Sequence, residues 1–220
     1  MDSNYNLQSL ISRIKTRLKD AEYDDDTIAQ FINDTYFEIL GDTHYQFLEK
    51  KYRASAQEGG PLLLPKDYQS IIHLTARLDK KRYPLRYKPS REFFNFGKNA
   101  SFNNYTYTIF GNELHFSLPN IENEKDEDGD EKFYELDLYY LAKPLTLTGT
   151  ARPVIPQEYS EAIVLGALAR AEQLRDNFDY AQVYENKKED IVLSMKERYC
   201  PRQLEGENRA QLPVMVRTRY

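Results

Sequence analysis

Leu7, Leu10, Ile11, Ile14 and Leu18 recur at spacings of three and four residues, with polar side chains between them. That period lines them along one stripe of an α-helix. The run Asp24-Asp25-Asp26-Thr27 comes next. Its oxygens can accept from the unpaired N–H groups of a helix start, and its charge suits the positive end of the helix dipole. A second helix is therefore expected, with Ile28, Phe31, Ile32, Tyr36, Ile39 and Leu40 on its apolar side and Gly41 as its stop. Two antiparallel helices joined by a short acidic turn is the economical arrangement.

From about Pro61 the period shortens to two. Leu62-Leu63-Leu64-Pro65 leads through Asp67-Tyr68 to a run in which Ile72, Leu74, Ala76 and Leu78 alternate with more polar neighbours. This is the pattern of a half-buried strand. Tyr105 to Pro119 reads as a hairpin: Tyr105, Tyr107 and Ile109 share a face, Gly111-Asn112 turn, and Leu114, Phe116 and Leu118 alternate. Phe133 to Leu141 predicts a further strand, after an acidic loop Glu122–Glu131. Beyond Pro153 and Pro156 the helical period returns. Ile163, Leu165, Ala167, Leu168, Ala171 and Leu174 belong to a helix whose many small residues let another backbone approach closely. Asn177 marks a break, and a last helix carries Tyr180, Val183, Tyr184, Ile191 and Met195 until Pro201 ends it.

The expected class is α+β: an N-terminal helix pair, a small antiparallel β-sheet with hairpins, a C-terminal helix pair and an extended C-terminal arm. In domain terms, residues 1–200 form one domain. Its helical bundle is built from 6–50 and 156–199, with a β insertion at 61–143, and the arm occupies 201–220.

Composition bounds the function. Of 220 residues, 40% are hydrophobic and 30% charged, so the core is modest and the wet surface large. A net charge of −5 argues against a protein that grips DNA phosphates, and suits one past which DNA slides without specific binding. Cys200 is the one cysteine, which excludes an intrachain disulfide and a Cys-based zinc site. Met1-Asp2-Ser3-Asn4 has no basic n-region before an apolar stretch, and no apolar run approaches the roughly 18–20 residues of a membrane span. Synthesis in a reducing cytoplasm, away from membranes, is the expectation.

Candidate chemistry is sparse. His44, His73 and His115 belong to no HExxH or HxH pattern, and the two in strand runs are expected to face solvent or a polar partner. Ser160 lies in no G-x-S-x-G elbow, and neither a Walker A sequence nor G-x-G-x-x-G is present. No catalytic residue, metal site or cofactor is therefore assigned. Glu124, Asp126, Asp128, Gly129 and Glu135 fall at positions 1, 3, 5, 6 and 12 of an EF-hand loop. Glu at position 1, Glu131 at position 8 and flanking strands oppose that reading. A solvated loop held open by charge repulsion is favoured over weak divalent-cation binding. The alternative function is a cell-wall hydrolase, or another enzyme with an unrecognised carboxylate site. It needs an acid of raised pKa in a cleft. Of 18 tyrosines, Tyr68, Tyr83, Tyr87, Tyr105, Tyr107, Tyr134, Tyr139 and Tyr140 cluster in the β region, lining either its core or an interface.

The last twenty residues divide in two. Residues 201–211 are polar and without helical period, a spacer. Leu212, Val214, Met215 and Val216, followed by Arg217, Arg219 and Tyr220, have β character and anchor-like side chains. The expected role of this segment is to bind a partner by adding a strand to its sheet. Folding back on its own domain is the competing arrangement.

Taken in order, these pieces resemble the tailed-phage head-to-tail adaptor (connector) family. The resemblance rests on Leu7-Gln8-Ser9-Leu10-Ile11 with Asp26-Thr27-Ile28-Ala29-Gln30-Phe31-Ile32-Asn33-Asp34, and on the Leu64-Pro65-Lys66-Asp67-Tyr68 step. The hairpin Tyr107 to Pro119, Leu138-Tyr139-Tyr140 and the Ala-rich stretch Pro156 through Leu174 complete it. The chain departs from the family in its longer acidic loop and in lacking an aromatic, often Trp, after the N-terminal acidic turn. The resemblance implies a non-enzymatic structural subunit of a ring of roughly twelve sister copies. Such a ring docks under the portal protein, extends the DNA channel and offers a platform to tail or neck proteins. It implies a place at the portal–tail junction of the virion, after synthesis in the host cytoplasm.

Overall fold

The computed structural model of the chain describes residues 5–19, 23–41, 43–56, 60–78, 81–95, 105–119, 121 and 133–200. Helix α1 (Leu7–Leu18) opens on a reciprocal cap. The Ser9 N–H donates to Asn6 Oδ1 at 2.9 Å, and the Asn6 N–H donates to Ser9 Oγ at 3.2 Å. All five apolar positions read from the period are buried. Helix α2 (Asp25–Leu40) is capped by Asp24, which accepts from the Thr27 N–H at 2.7 Å, and it ends at Gly41 with φ +32°. The two helices run antiparallel. Lys15, late in α1, pairs with Asp25 at the start of α2, while Tyr5 and Tyr36 at the opposite ends bond the adjacent residues Ile155 and Val154.

Helices α4 (Ser160–Leu174) and α5 (Phe178–Tyr199) join this pair in a bundle with one apolar core, centred on Leu10, Ile14, Ile32, Leu40, Ile163, Leu168 and Met195. The small residues of α4 act as the period implied. A Cβ on Gly166 would stand 2.3 Å from Thr35 Cγ2 and 3.0 Å from Lys188 Cδ, so glycine sets how closely the helices approach. Helix α5 corrects one expectation. Tyr180 and Val183 point outward, and the buried line runs through Ala181, Lys188 and Met195. The line passes through a lysine because the Lys188 ammonium donates to both Glu38 and Glu185. A hydropathy pattern cannot see a core position filled by a paired charge.

The β region is larger than one small sheet. Strands β1 (Glu49–Ala56), β3 (Tyr68–Leu78), β4 (Lys81–Pro84) and β8 (Tyr134–Ala142) form a first sheet in the order β1-β8-β3-β4. Strands β2 (Pro61–Leu63), β5 (Arg86–Tyr87), β6 (Thr106–Phe110) and β7 (Glu113–Ser117) form a second, ordered β2-β7-β6-β5. Neighbouring strands are antiparallel except the β5–β6 pair, which is parallel. The inner faces of both sheets share a second core that includes Leu74, Ala76, Leu114, Phe116, Leu136 and Leu138. The hairpin turn falls at Gly111, φ +63°, as its residues predict.

Strand β3 corrects a second expectation. Its pairing with β8 shifts register between Ile71 and His73. That irregularity turns Ile72 outward, 41% exposed, and leaves Ile71 to pack against the core. A second shift, between Tyr68 and Ser70, lies earlier in the strand, so the inversion is confined to the residues between the two.

The chain returns from β8 to the bundle along a segment held by α1 and α2. Asn33 exchanges two hydrogen bonds with the Leu147 backbone, at 2.7 and 3.1 Å, and the Tyr5 hydroxyl donates to the Ile155 carbonyl at 2.9 Å. These polar contacts tie the returning loop to the bundle, whose core Leu147 and Ile155 join.

Candidate functional site

The exposed side of the first sheet carries the densest set of functional side chains. Pairing registers place Lys51, Tyr139 and His73 in one row across β1, β8 and β3. Arg53, Asp137, Thr75 and Pro84 form the next row, and Ser55, Glu135, Arg77 and Arg82 the third. Lys51 sits 4.9 Å above the Tyr139 ring, and the His73 ring lies 6.3 Å from it. Together with Ile72 and Pro84 these residues line an open groove of about 810 Å³, with an apolar floor and cations along its rim.

Asp137 is the electrostatic centre of this face. It is buried between Leu136 and Leu138, and Lys51 and Arg53 reach it at 2.8 and 3.0 Å. Burial works against its charge, but the hydrogen bonds and charges of the two cations outweigh it and hold the carboxyl below the usual range. Arg77 is paired with Glu135. Among the described residues Arg82 has no ion-pair partner. Four cations thus meet three acids on the three rows and the neighbouring Glu49, in a chain whose net charge is −5.

On the other side of the first sheet, the Leu64–Tyr68 step has a structural use. Asp67 accepts from Lys50 at 2.6 Å and from the Tyr140 hydroxyl at 2.9 Å, while its own carbonyl accepts from the Lys143 N–H at 2.6 Å. Burial and this bond to Asp67 push the Tyr140 hydroxyl up to about 12. The motif therefore joins β1, β3 and β8.

The second sheet offers a different surface. Leu63, Glu113 and Phe110 stand in one cross-strand row facing away from the core. The short helix α3 (Ser90–Asn95) packs on this face, with the Phe94 ring 5.7 Å from Phe110 and 5.2 Å from His115. Leu63, Phe94 and Phe110 remain 67%, 49% and 61% exposed. Clustered exposed apolar side chains of this kind mark contact surfaces.

The predicted partner-binding residues Leu212, Val214, Met215, Val216, Arg217, Arg219 and Tyr220 lie outside the described residues, as does the acidic loop Glu122–Glu131. Of the EF-hand-like set, Glu135 alone is described. It sits in β8, paired with Arg77, where an EF-hand requires a helix to follow. The three histidines fall as their polar neighbours suggest: His44 meets Glu49 at 2.9 Å, His115 meets Glu113 at 3.1 Å, and His73 lies against Tyr139. Glu38, Asp67 and Asp137 are all held below the usual carboxylate range despite burial, because cations or hydroxyls bond them. A general acid needs the opposite shift.

Sequence reasoning missed the groove. Its cations come from β1, Glu-Lys-Lys-Tyr-Arg-Ala-Ser-Ala, whose alternation is limited to Tyr52, Ala54 and Ala56, and from Arg82 of β4. The available signal was Asp137, an acid set between two leucines of a strand, which requires cationic neighbours.

No helix among the described residues is long and apolar enough to cross a membrane. No curated protein matches the chain. A family does: residues 5–217 match the SU10 adaptor protein family, across both cores, both sheets and most of the C-terminal tail. An α+β body whose conspicuous features are contact surfaces and structural ion pairs accords with that match, and the chain belongs to the SU10 adaptor protein family.

Proposed function

We propose that the chain is a ring-forming subunit that docks under the portal of a tailed phage, lengthens the DNA channel and carries tail or neck proteins. Family membership gives the structural adaptor role. The finer reading is carried by one observation: the family match runs to residue 217 and so takes in Leu212–Arg217 of the tail. A short apolar and basic segment within the matched span is suited to gripping a neighbouring protein of the assembly. On this reading the body, residues 1–200, supplies the ring wall, and residues 201–220 reach the portal.

Ordering such an arm costs about 1–2 kcal/mol of backbone entropy per residue. The free subunit is accordingly expected to be monomeric, and binding to gain strength when many copies engage one portal ring. Electron microscopy of portal rings mixed with the purified chain tests this. A closed ring of added density beneath the portal is the predicted result. A stable ring of the chain without portal, or bare portals at saturating concentration, contradicts it.

A further inference from the structure

The charge of the chain is unevenly spread, and the function proposed above does not use its most basic stretch. Residues 77–91 hold seven cations and one acid, a net +6 in a chain of −5, so the other 205 residues together carry −11. The fold sets this stretch along one open side of the two sheets. Strand β4 is an edge of the first sheet and β5 an edge of the second, and only the buried Leu85 separates them. Lys81, Arg82, Arg86 and, in α3, Arg91 are exposed. None of these four has an ion-pair partner among the described residues. The cations of β1 differ, since Lys50 is taken up by Asp67, and Lys51 and Arg53 by Asp137. The backbone beneath the ribbon is held in place. The Arg86 and Lys88 N–H groups donate to the Tyr105 and Tyr107 carbonyls at 2.9 and 2.8 Å, and Tyr83 stacks on Tyr105 with ring centroids 4.6 Å apart.

We propose that this ribbon, Lys81 to Arg91, is a contact for the phosphate backbone of duplex DNA, made without regard to sequence. The choice of DNA rests on the ring reading, which sets a duplex beside every copy. The acidic balance of the whole chain does not oppose it. Salt screens exposed charges beyond about 10 Å at 0.1 M, so a phosphate at the ribbon senses the nearby cations and not the distant acids. A protein partner fits less well, because interface cores are depleted in Lys and draw their strength from buried apolar anchors. The exposed side chains from Lys81 to Tyr87 are three cations, Pro84 and Tyr87. Arg, Lys and Tyr are phosphate-binding side chains, and contacts of this kind let DNA slide. Within the ring, the contact turns the β4–β5 side towards the channel.

The test is a titration of the full chain with a fluorescent duplex of about 30 base pairs, at about 50 to 200 mM salt. Binding indifferent to sequence is expected. For four cations, log affinity should fall against log salt with a slope of about −3 to −4. Arg86→Gln and Arg91→Gln should each reduce that slope by about one. Lys187→Gln and Lys196→Gln, at exposed positions of α5, should leave it unchanged. Absence of binding at the lowest salt, equal losses in the α5 variants, or tighter binding to polyglutamate of equal charge overturns the proposal. The titration needs no portal. Bare portals in microscopy contradict the ring reading, and the DNA contact is still decided by the titration.

Discussion

The bundle and the sheets solve the burial problem differently. In the bundle, apolar residues from α1, α2 and α4 converge on one core, and the one lysine drawn inward is answered by Glu38 and Glu185. In the β region each sheet gives its inner face to a shared core and leaves the other for contact. The first sheet's outer face holds cations around Asp137, and the second's holds Leu63, Phe94 and Phe110. The bundle also presents a surface, since Phe178, Tyr180, Val183 and Leu193 of α5 are exposed, but its buried side is mainly apolar on every helix, whereas each sheet divides its two faces between core and solvent.

Substitution sharpens the contrast. Ile163→Ala, fully buried in α4, is expected to cost about 2–5 kcal/mol by lost transfer energy and a cavity, read as a lowered midpoint in denaturant unfolding. Gly166→Val is expected to cost about 1–3 kcal/mol, because Thr35 and Lys188 occupy the space of its side chain. A Gly166→Val protein as stable as the parent would show that the α2–α4 spacing can relax.

Acid should act mainly through the paired carboxyls. Asp67 and Asp137 are held below their ordinary range in the folded chain, where burial is outweighed by hydrogen bonds from Lys50 and Tyr140 and from Lys51 and Arg53. The unfolded chain therefore binds more protons as pH falls. The stabilisation is complete above the unfolded carboxylate pKa of about 4 and is lost as pH falls through the lower folded value. Asp137→Asn is expected to flatten the acid limb of a Tm-against-pH curve. An unchanged limb would assign acid sensitivity to other groups. The smallest stability effect is expected at the second sheet's outer face. Phe110→Ser should change stability by no more than about 0.5 kcal/mol, and a larger loss would mean that α3 depends on Phe110 to pack.

The bundle was legible because its physics is local. A period of 3.6, an Asp cap and a Gly stop identified α1 and α2, and the buried residues of α1 are those the stripe names. What stayed hidden depended on partners distant in sequence. Strand β1 has only the weak alternation of Tyr52, Ala54 and Ala56 and is recruited by β8; Ile72 is displaced by a register irregularity; Lys188 is buried because Glu38, 150 residues away, neutralises it. The groove was hidden for the same reason, since its rows are assembled from four strands. The tail segment was read from its own composition alone, and it lies outside the described residues.

The most direct test of the account is to shorten the chain after Cys200 and measure co-sedimentation with portal rings beside the full-length protein. The account predicts that the shortened chain keeps its unfolding temperature and loses portal attachment. Undiminished attachment would contradict it, and would move the portal contact onto the body.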